Sequence, residues 1–301
     1  MKTFLKKHGF VLILFFILTW AIYNGSQIFV KQMDRNEKKT AQILADCKKN
    51  MSESEDLNYK KMCENLINNN LPDLDFFTML TNLVVFELRY LNFIALFIVV
   101  LPSMKVAKLL KSKYILHSAT RESYRSFLIT FFKKAYQYVF ILPCVGGILL
   151  FFCAIHTTFD PTYALQYQSS IWEASRILHP VFFILGYLLN LFLYSIFYLN
   201  LFLIVLRKKH NLIVALLLTV LLFLGIELFF EVGLNTFIGQ MLFKSEIGYL
   251  FNIMSPFTFS NQFHVSALLS FSLFMVLLSS YFVYKMYHHR EKFIMDCEKN
   301  N

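Results

Sequence analysis

Long apolar runs alternate along the chain with shorter polar segments, most of them basic. The runs occupy 10–30, 82–101, 138–153, 181–206, 212–230 and 265–284. A helix that crosses a bilayer needs roughly 20 mostly apolar residues, because each backbone N–H and C=O must be bonded within the segment where no water reaches. The pattern therefore predicts an all-α polytopic membrane protein with six transmembrane helices, forming a single transmembrane domain over 1–301. The third run is short unless Phe131 and Phe132 extend it.

Three connecting segments carry structure of their own. Residues 31–75 hold 8 basic and 9 acidic side chains, with Ile43, Leu44, Cys47 and Met51 at helical spacing. This predicts an external helical insertion, a hairpin stopped near Asn68, Asn69, Asn70 and Pro72. It can serve as a partner platform or as a passive cap. Cys47 and Cys63 both fall in it, and two readings stand side by side: a disulfide, or two unpaired small apolar residues. In the 104–137 segment, Tyr124, Phe127, Leu128, Phe131 and Ala135 recur at spacings of three and four, while Arg121, Arg125, Lys133 and Lys134 fall largely on other faces. That is an amphipathic helix, with Ser118 or Thr120 as N-cap and Glu122 in its first turn. It suits both an interfacial helix on anionic lipid and a docking element for a cytoplasmic partner. Residues 231–262 are too apolar for an exposed loop, and predict short re-entrant helices broken near Gly239, Gly248 and Pro256.

Composition sharpens the class. At 57% hydrophobic and 16% charged, the chain falls well short of the quarter or so of charged residues found in soluble domains. The net charge of +10 would suit nucleic acid in a soluble protein, so its distribution decides. With six spans, the side holding both termini carries 18 basic and 4 acidic residues, against 10 basic and 13 acidic on the other. Basic loops stay in the cytoplasm, which places both termini inside a cell membrane and removes nucleic acid as a partner. Lys2, Lys6 and Lys7 precede the first apolar run as in a signal peptide, but 20–26 offers no small-x-small cleavage site, so the run reads as an uncleaved anchor.

No catalytic pattern emerges. The chain lacks a Gly-x-x-x-x-Gly-Lys phosphate loop, a His-Glu-x-x-His pair and a Gly-x-Ser-x-Gly elbow. His288 and His289 read as interfacial positive charge rather than metal ligands, and Cys144, Cys153 and Cys297 show no catalytic context. Glu87, Arg89 and Glu227 are ionisable groups near the outer ends of spans, where headgroups can reach them. On the fourth span Tyr187, Asn190, Tyr194 and Tyr198 are spaced 3, 4 and 4, a polar stripe that must turn away from lipid. It either bonds neighbouring helices or lines a path for amphipathic cargo. Ser266 and Ser270 form a smaller stripe on the sixth span.

This organisation resembles the membrane subunit of a type-2 ATP-binding-cassette exporter. The run through Lys111, Ser112 and Lys113 into Ala119, Thr120, Arg121 and Tyr124 is similar to that family's coupling-helix region. The stretch Asn252, Ile253, Met254, Ser255, Pro256 and Phe257 resembles its proline-containing approach to the last span. The resemblance implies a permease without an ATPase site of its own. Its partners would be a second permease chain and nucleotide-binding ATPase subunits that hold ATP and Mg. Lys111, Lys113, Thr120, Arg121, Glu122, Tyr124 and Arg125 would couple to the ATPase, and Tyr187, Asn190, Tyr194, Tyr198 and Glu227 would face the cargo. The insertion of some 45 residues at 31–75 departs from the smaller members. A non-transporting immunity or sensor subunit that captures an external peptide remains as a second class, and an intramembrane enzyme as a third.

Overall fold

The computed structural model describes residues 2–50, 60, 63–64, 106, 123–157, 179–209, 211–242 and 265–299. Among these every element is a helix. In chain order they are α1 (Lys2–Asn50), α2 (Tyr124–Tyr136), α3 (Ile141–Ile155), α4 (Pro180–Lys208), α5 (Leu212–Leu228), a π-helix (Phe229–Leu242), α6 (Val265–Tyr287) and α7 (Arg290–Lys299).

Three helical stretches among the described residues are long and apolar enough to cross a membrane: Tyr124–Ile155, Val181–Lys208 and Leu268–Tyr287. Ile213–Ile226 is apolar but shorter. The first apolar run is built into α1, and the 82–101 run lies outside the described residues. The short third run gains its length as expected, because α2 carries Phe131 and Phe132 and joins α3 through a turn at 137–140. Pro143 accounts for that turn: it has no N–H to offer the carbonyl of Val139, and its ring crowds that oxygen.

α4 is the central helix. It packs most extensively on α6 and also meets α5, α3 and the end of α2. Pro180 opens α4 at a position where a missing N–H costs nothing, and Arg207 and Lys208 fill its last turn. Asn211 then caps α5, its side chain accepting from the Ile213 N–H at 3.1 Å. Where α3 crosses α4, a Cβ on Gly146 would lie 2.5 Å from Leu191 Cδ1, so a larger residue there would force the Leu191 side chain to shift. The inward face of α6 is the row Leu268, Ser272, Met275, Val276, Ser279, Val283 and Tyr287, all buried, at spacings of three and four.

The charged arm at 31–50 is continuous with the first apolar run: α1 passes through it without a break to Asn50. No proline or glycine stands between Gly25 and Asn50, and the arm carries five Lys with Gln and Ala, all good helix formers. The re-entrant segment was expected to break near Gly239, but the π-helix passes through that residue to Leu242; 243–262 lies outside the described residues. Fourteen residues is far longer than the single-turn π-bulges usually found inside helices. The α2 N-cap is Ser123, whose hydroxyl accepts from the Ser126 N–H at 3.3 Å, rather than Ser118 or Thr120; Glu122 therefore precedes the cap.

Candidate functional site

The bundle has two ends and a polar seam between them. At one end Phe29 of α1 meets Phe152 of α3 edge-on at 5.4 Å, with His156 beside both. Beyond that end α1 continues for 21 residues, from Val30 to Asn50, and Cys47 is joined to Cys63 through a disulfide with Cα atoms 5.4 Å apart. Within the arm Lys38 and Asp34 form an exposed ion pair at 2.7 Å, one helical turn apart. Such pairs add little stability. The staple is the stronger constraint on the arm.

The seam lies between α4 and α6, with α2 and α5 alongside. Tyr187, Asn190, Tyr194 and Tyr198 are all buried, so the stripe does turn inward. Ser272 of α6 donates to Asn190 Oδ1 at 2.6 Å. The Tyr194 and Tyr198 rings meet at 5.1 Å, and Phe223 of α5 lies edge-on to Tyr194 at 6.0 Å and tilted against Tyr198 at 4.6 Å. All four side chains are thus engaged in the bundle interior. Glu227 lies in the last turn of α5. Ser270, expected in the α6 stripe, is exposed and donates to Ser266 O of its own helix at 2.8 Å.

Asn200 is the junction that inspection of the sequence missed. Its Nδ2 donates to Ser279 and Ser280 of α6, each at 2.9 Å, and its Oδ1 accepts from the Tyr136 hydroxyl of α2. One buried amide therefore ties three helices with both donors and its acceptor used. Asn190 differs, since its Nδ2 is buried and makes no hydrogen bond among the described residues.

The basic end is built around Arg207. It falls just past the 181–206 apolar run, beside Lys208 and Lys209, but only 4% of it is exposed. Its Nε donates to Met286 O at 3.3 Å and its Nη2 to Lys292 O at 3.2 Å, while the guanidinium lies 4.7 Å from the Phe293 ring centroid. The Tyr124 hydroxyl donates to Tyr287 O. The last carbonyls of a helix have no partner within it and sit at the negative end of its dipole. Here α4 supplies a cation and α2 a hydroxyl to the end of α6. Phe293 of α7 is fully buried among Tyr124, Phe127 and Tyr287, with ring centroids at 5.9, 6.1 and 5.5 Å. The chain links α2, α4, α6 and α7 through this one cluster.

Of the residues expected to couple to a partner, Tyr124 is half-buried in the cluster and Arg125 is exposed beside it. Lys111, Lys113, Thr120, Arg121 and Glu122 lie outside the described residues. Among the described residues no group of three or more His, Cys, Asp or Glu side chains is placed to hold a metal. Comparison with family models, curated proteins and solved structures finds no match.

Proposed function

We propose that this chain is the permease subunit of an ATP-driven exporter that moves a hydrophobic or amphipathic cargo outward and is energised by a separate nucleotide-binding subunit. The observation that carries the reading is the cluster around Arg207 and Phe293. The turn bearing Arg125 begins α2 directly after the 104–122 segment, and Tyr124 in that turn is bonded to the end of α6. Phe127 and Phe131 continue the contact to Phe293 and Tyr287. A partner that grips this turn therefore pulls on α6 and α7 together, and through Arg207 on α4. Two permease chains would face each other, with ATP and Mg held by the partner subunits.

In this reading six helices cross the cell membrane and both termini are cytoplasmic. Two observations support that sidedness. Arg125, Lys208, Lys209, Lys285 and Lys292 are exposed at the end where α2 begins and α4 and α6 finish, whereas the disulfide lies beyond the opposite end. Disulfides persist in oxidising surroundings, and basic residues are retained inside.

Purification in mild detergent with neighbouring gene products, followed by mass spectrometry and an ATPase assay, tests the reading. A P-loop ATPase in stoichiometric amount, with two permease copies, is expected. Replacing both Arg121 and Glu122 with alanine should lower transport-coupled ATPase activity while membrane insertion is retained. An isolated chain with no ATPase overturns the proposal.

The disulfide-stapled arm favours a second reading, a sensor or immunity subunit that captures an external peptide. Its 20-residue reach from Lys31 to Asn50 spans about 30 Å at 1.5 Å per residue. Peptide binding that persists in a chain purified without ATPase, and is lost when Cys47 and Cys63 are replaced by serine, would select this reading.

A further inference from the structure

The outward face of α6 changes character in a fixed order. Leu273, Phe274, Leu277 and Leu278 are exposed, then Tyr281, Phe282 and Tyr284, and then Lys285, His288 and His289, with Arg290 opening α7. Hydrocarbon, interface and phosphate layers of a bilayer select residues in that order, with aromatic rings at headgroup level and cations at the surface. From Leu278 to Lys285 the rise is about 10 Å, the depth over which lipid passes from acyl chain to headgroup. The Tyr284 ring lies 4.8 Å from that of His288, which sets the imidazole beside the aromatic layer.

A helix C-terminus alone repels an anion, because its unbonded carbonyls carry partial negative charge. At this corner the carbonyls of Met286 and Tyr287 are already occupied from the inside by Arg207 and the Tyr124 hydroxyl. The outward side chains are therefore left to set the local potential. Glu291 is exposed there beside Lys285, Arg290 and Lys292.

We propose that the α6–α7 corner binds the phosphate headgroup of an anionic phospholipid through Lys285, His288, His289 and Arg290, and that Arg207 and Phe293 behind it pass occupancy to α4. The proposal rests on the chain being embedded in a membrane and not on transport. The backbone of the corner is clasped from within, so a lipid that steadies it also steadies α7 against Arg207. Electrostatic attraction to an anionic leaflet is worth about fivefold per lysine or arginine at short range, and less once salt screens it.

Native mass spectrometry of the full-length protein, titrated with phosphatidylglycerol or phosphatidylcholine, tests the site. The unaltered chain should prefer phosphatidylglycerol, and the Lys285→Gln, Arg290→Gln double variant should lose about 30-fold of that preference. Both side chains are exposed, so the variant's thermal melting should be unchanged. In hydrogen exchange, phosphatidylglycerol should slow α7 and the last turns of α4; Arg207→Lys should retain the lipid adduct but lose that slowing. Equal uptake of the two lipids, or an unchanged preference in the double variant, overturns the site. Inorganic phosphate competing as well as the lipid would assign the corner to a soluble anion instead. Loss of a bound protein partner with lipid preference intact would make it a protein-docking surface.

Discussion

Asn200 and Asn190 sit on the same helix, both buried, and carry different loads. Asn200 uses both donors and its acceptor on three neighbours, whereas Asn190 uses its acceptor on Ser272 and leaves its amide nitrogen without a partner among the described residues. Interhelical hydrogen bonds in membranes average about 0.6 kcal/mol and reach roughly 1.7. Replacing Asn200 with leucine also strands the Tyr136 hydroxyl, while Ser279 keeps its bond to Val276 O at 3.0 Å. We expect Asn200→Leu to cost about 2 kcal/mol and Asn190→Leu less than about 1, read from unfolding in mixed micelles. Equal costs would mean that the Asn190 amide has a second partner. The tyrosine stripe was legible because its members share one spacing. Asn200 was not, since it stands two residues past Tyr198 on a different face. Arg207 was hidden for another reason: beside Lys208 and Lys209 it is one of three like charges, and a charge count treats them alike. Helix phase separates them, because Leu199, Leu203 and Arg207 follow one another at intervals of four along a buried row.

The elements show where local rules yielded. The 31–50 arm was legible as helical from Ile43, Leu44 and Cys47, but its continuity with α1 was not, because the change from apolar to charged composition looks like an element boundary. A helix needs only an absence of breakers to cross such a boundary. Glycines misled in the opposite direction. Gly233 and Gly239 cost a helix about 1 kcal/mol each in water, yet the π-helix runs through both. α7 is the element least expected from sequence, having neutral composition and little apolar surface. It is docked by Phe293 and by the bond from Arg207 to Lys292 O. Phe293→Ala should therefore free α7 alone, raising its amide exchange at least tenfold while α4 and α6 keep theirs. A matching loss of protection in α6 would show instead that the cluster holds the whole end of the bundle.

At the scale of the molecule, the question is which way the two ends face. α1 is 49 residues long, about 73 Å of helix against a hydrocarbon core of about 30 Å. A straight helix of that length exceeds any bilayer core it would cross. Phe29 is anchored to Phe152 at the end away from Arg207, so the disulfide at Cys47, 18 residues on, stands about 27 Å further out. Charge and redox chemistry argue independently for the proposed orientation, in which the basic end would lie on the reducing side and the staple on the oxidising one. Intact cells can separate the two. Without reductant, a membrane-impermeant maleimide tag should add nothing at Cys47 or Cys63; after an impermeant phosphine it should add two tags, and none when both are replaced by serine. A lysine-to-cysteine change at Lys292 should be tagged only after the cells are opened. If the staple opens only to a permeant reductant, or Lys292→Cys is tagged from outside, the orientation is inverted, and the Arg125 turn would face away from any cytoplasmic ATPase. The sidedness of one disulfide therefore decides whether the cluster around Arg207 is in a position to be pulled at all.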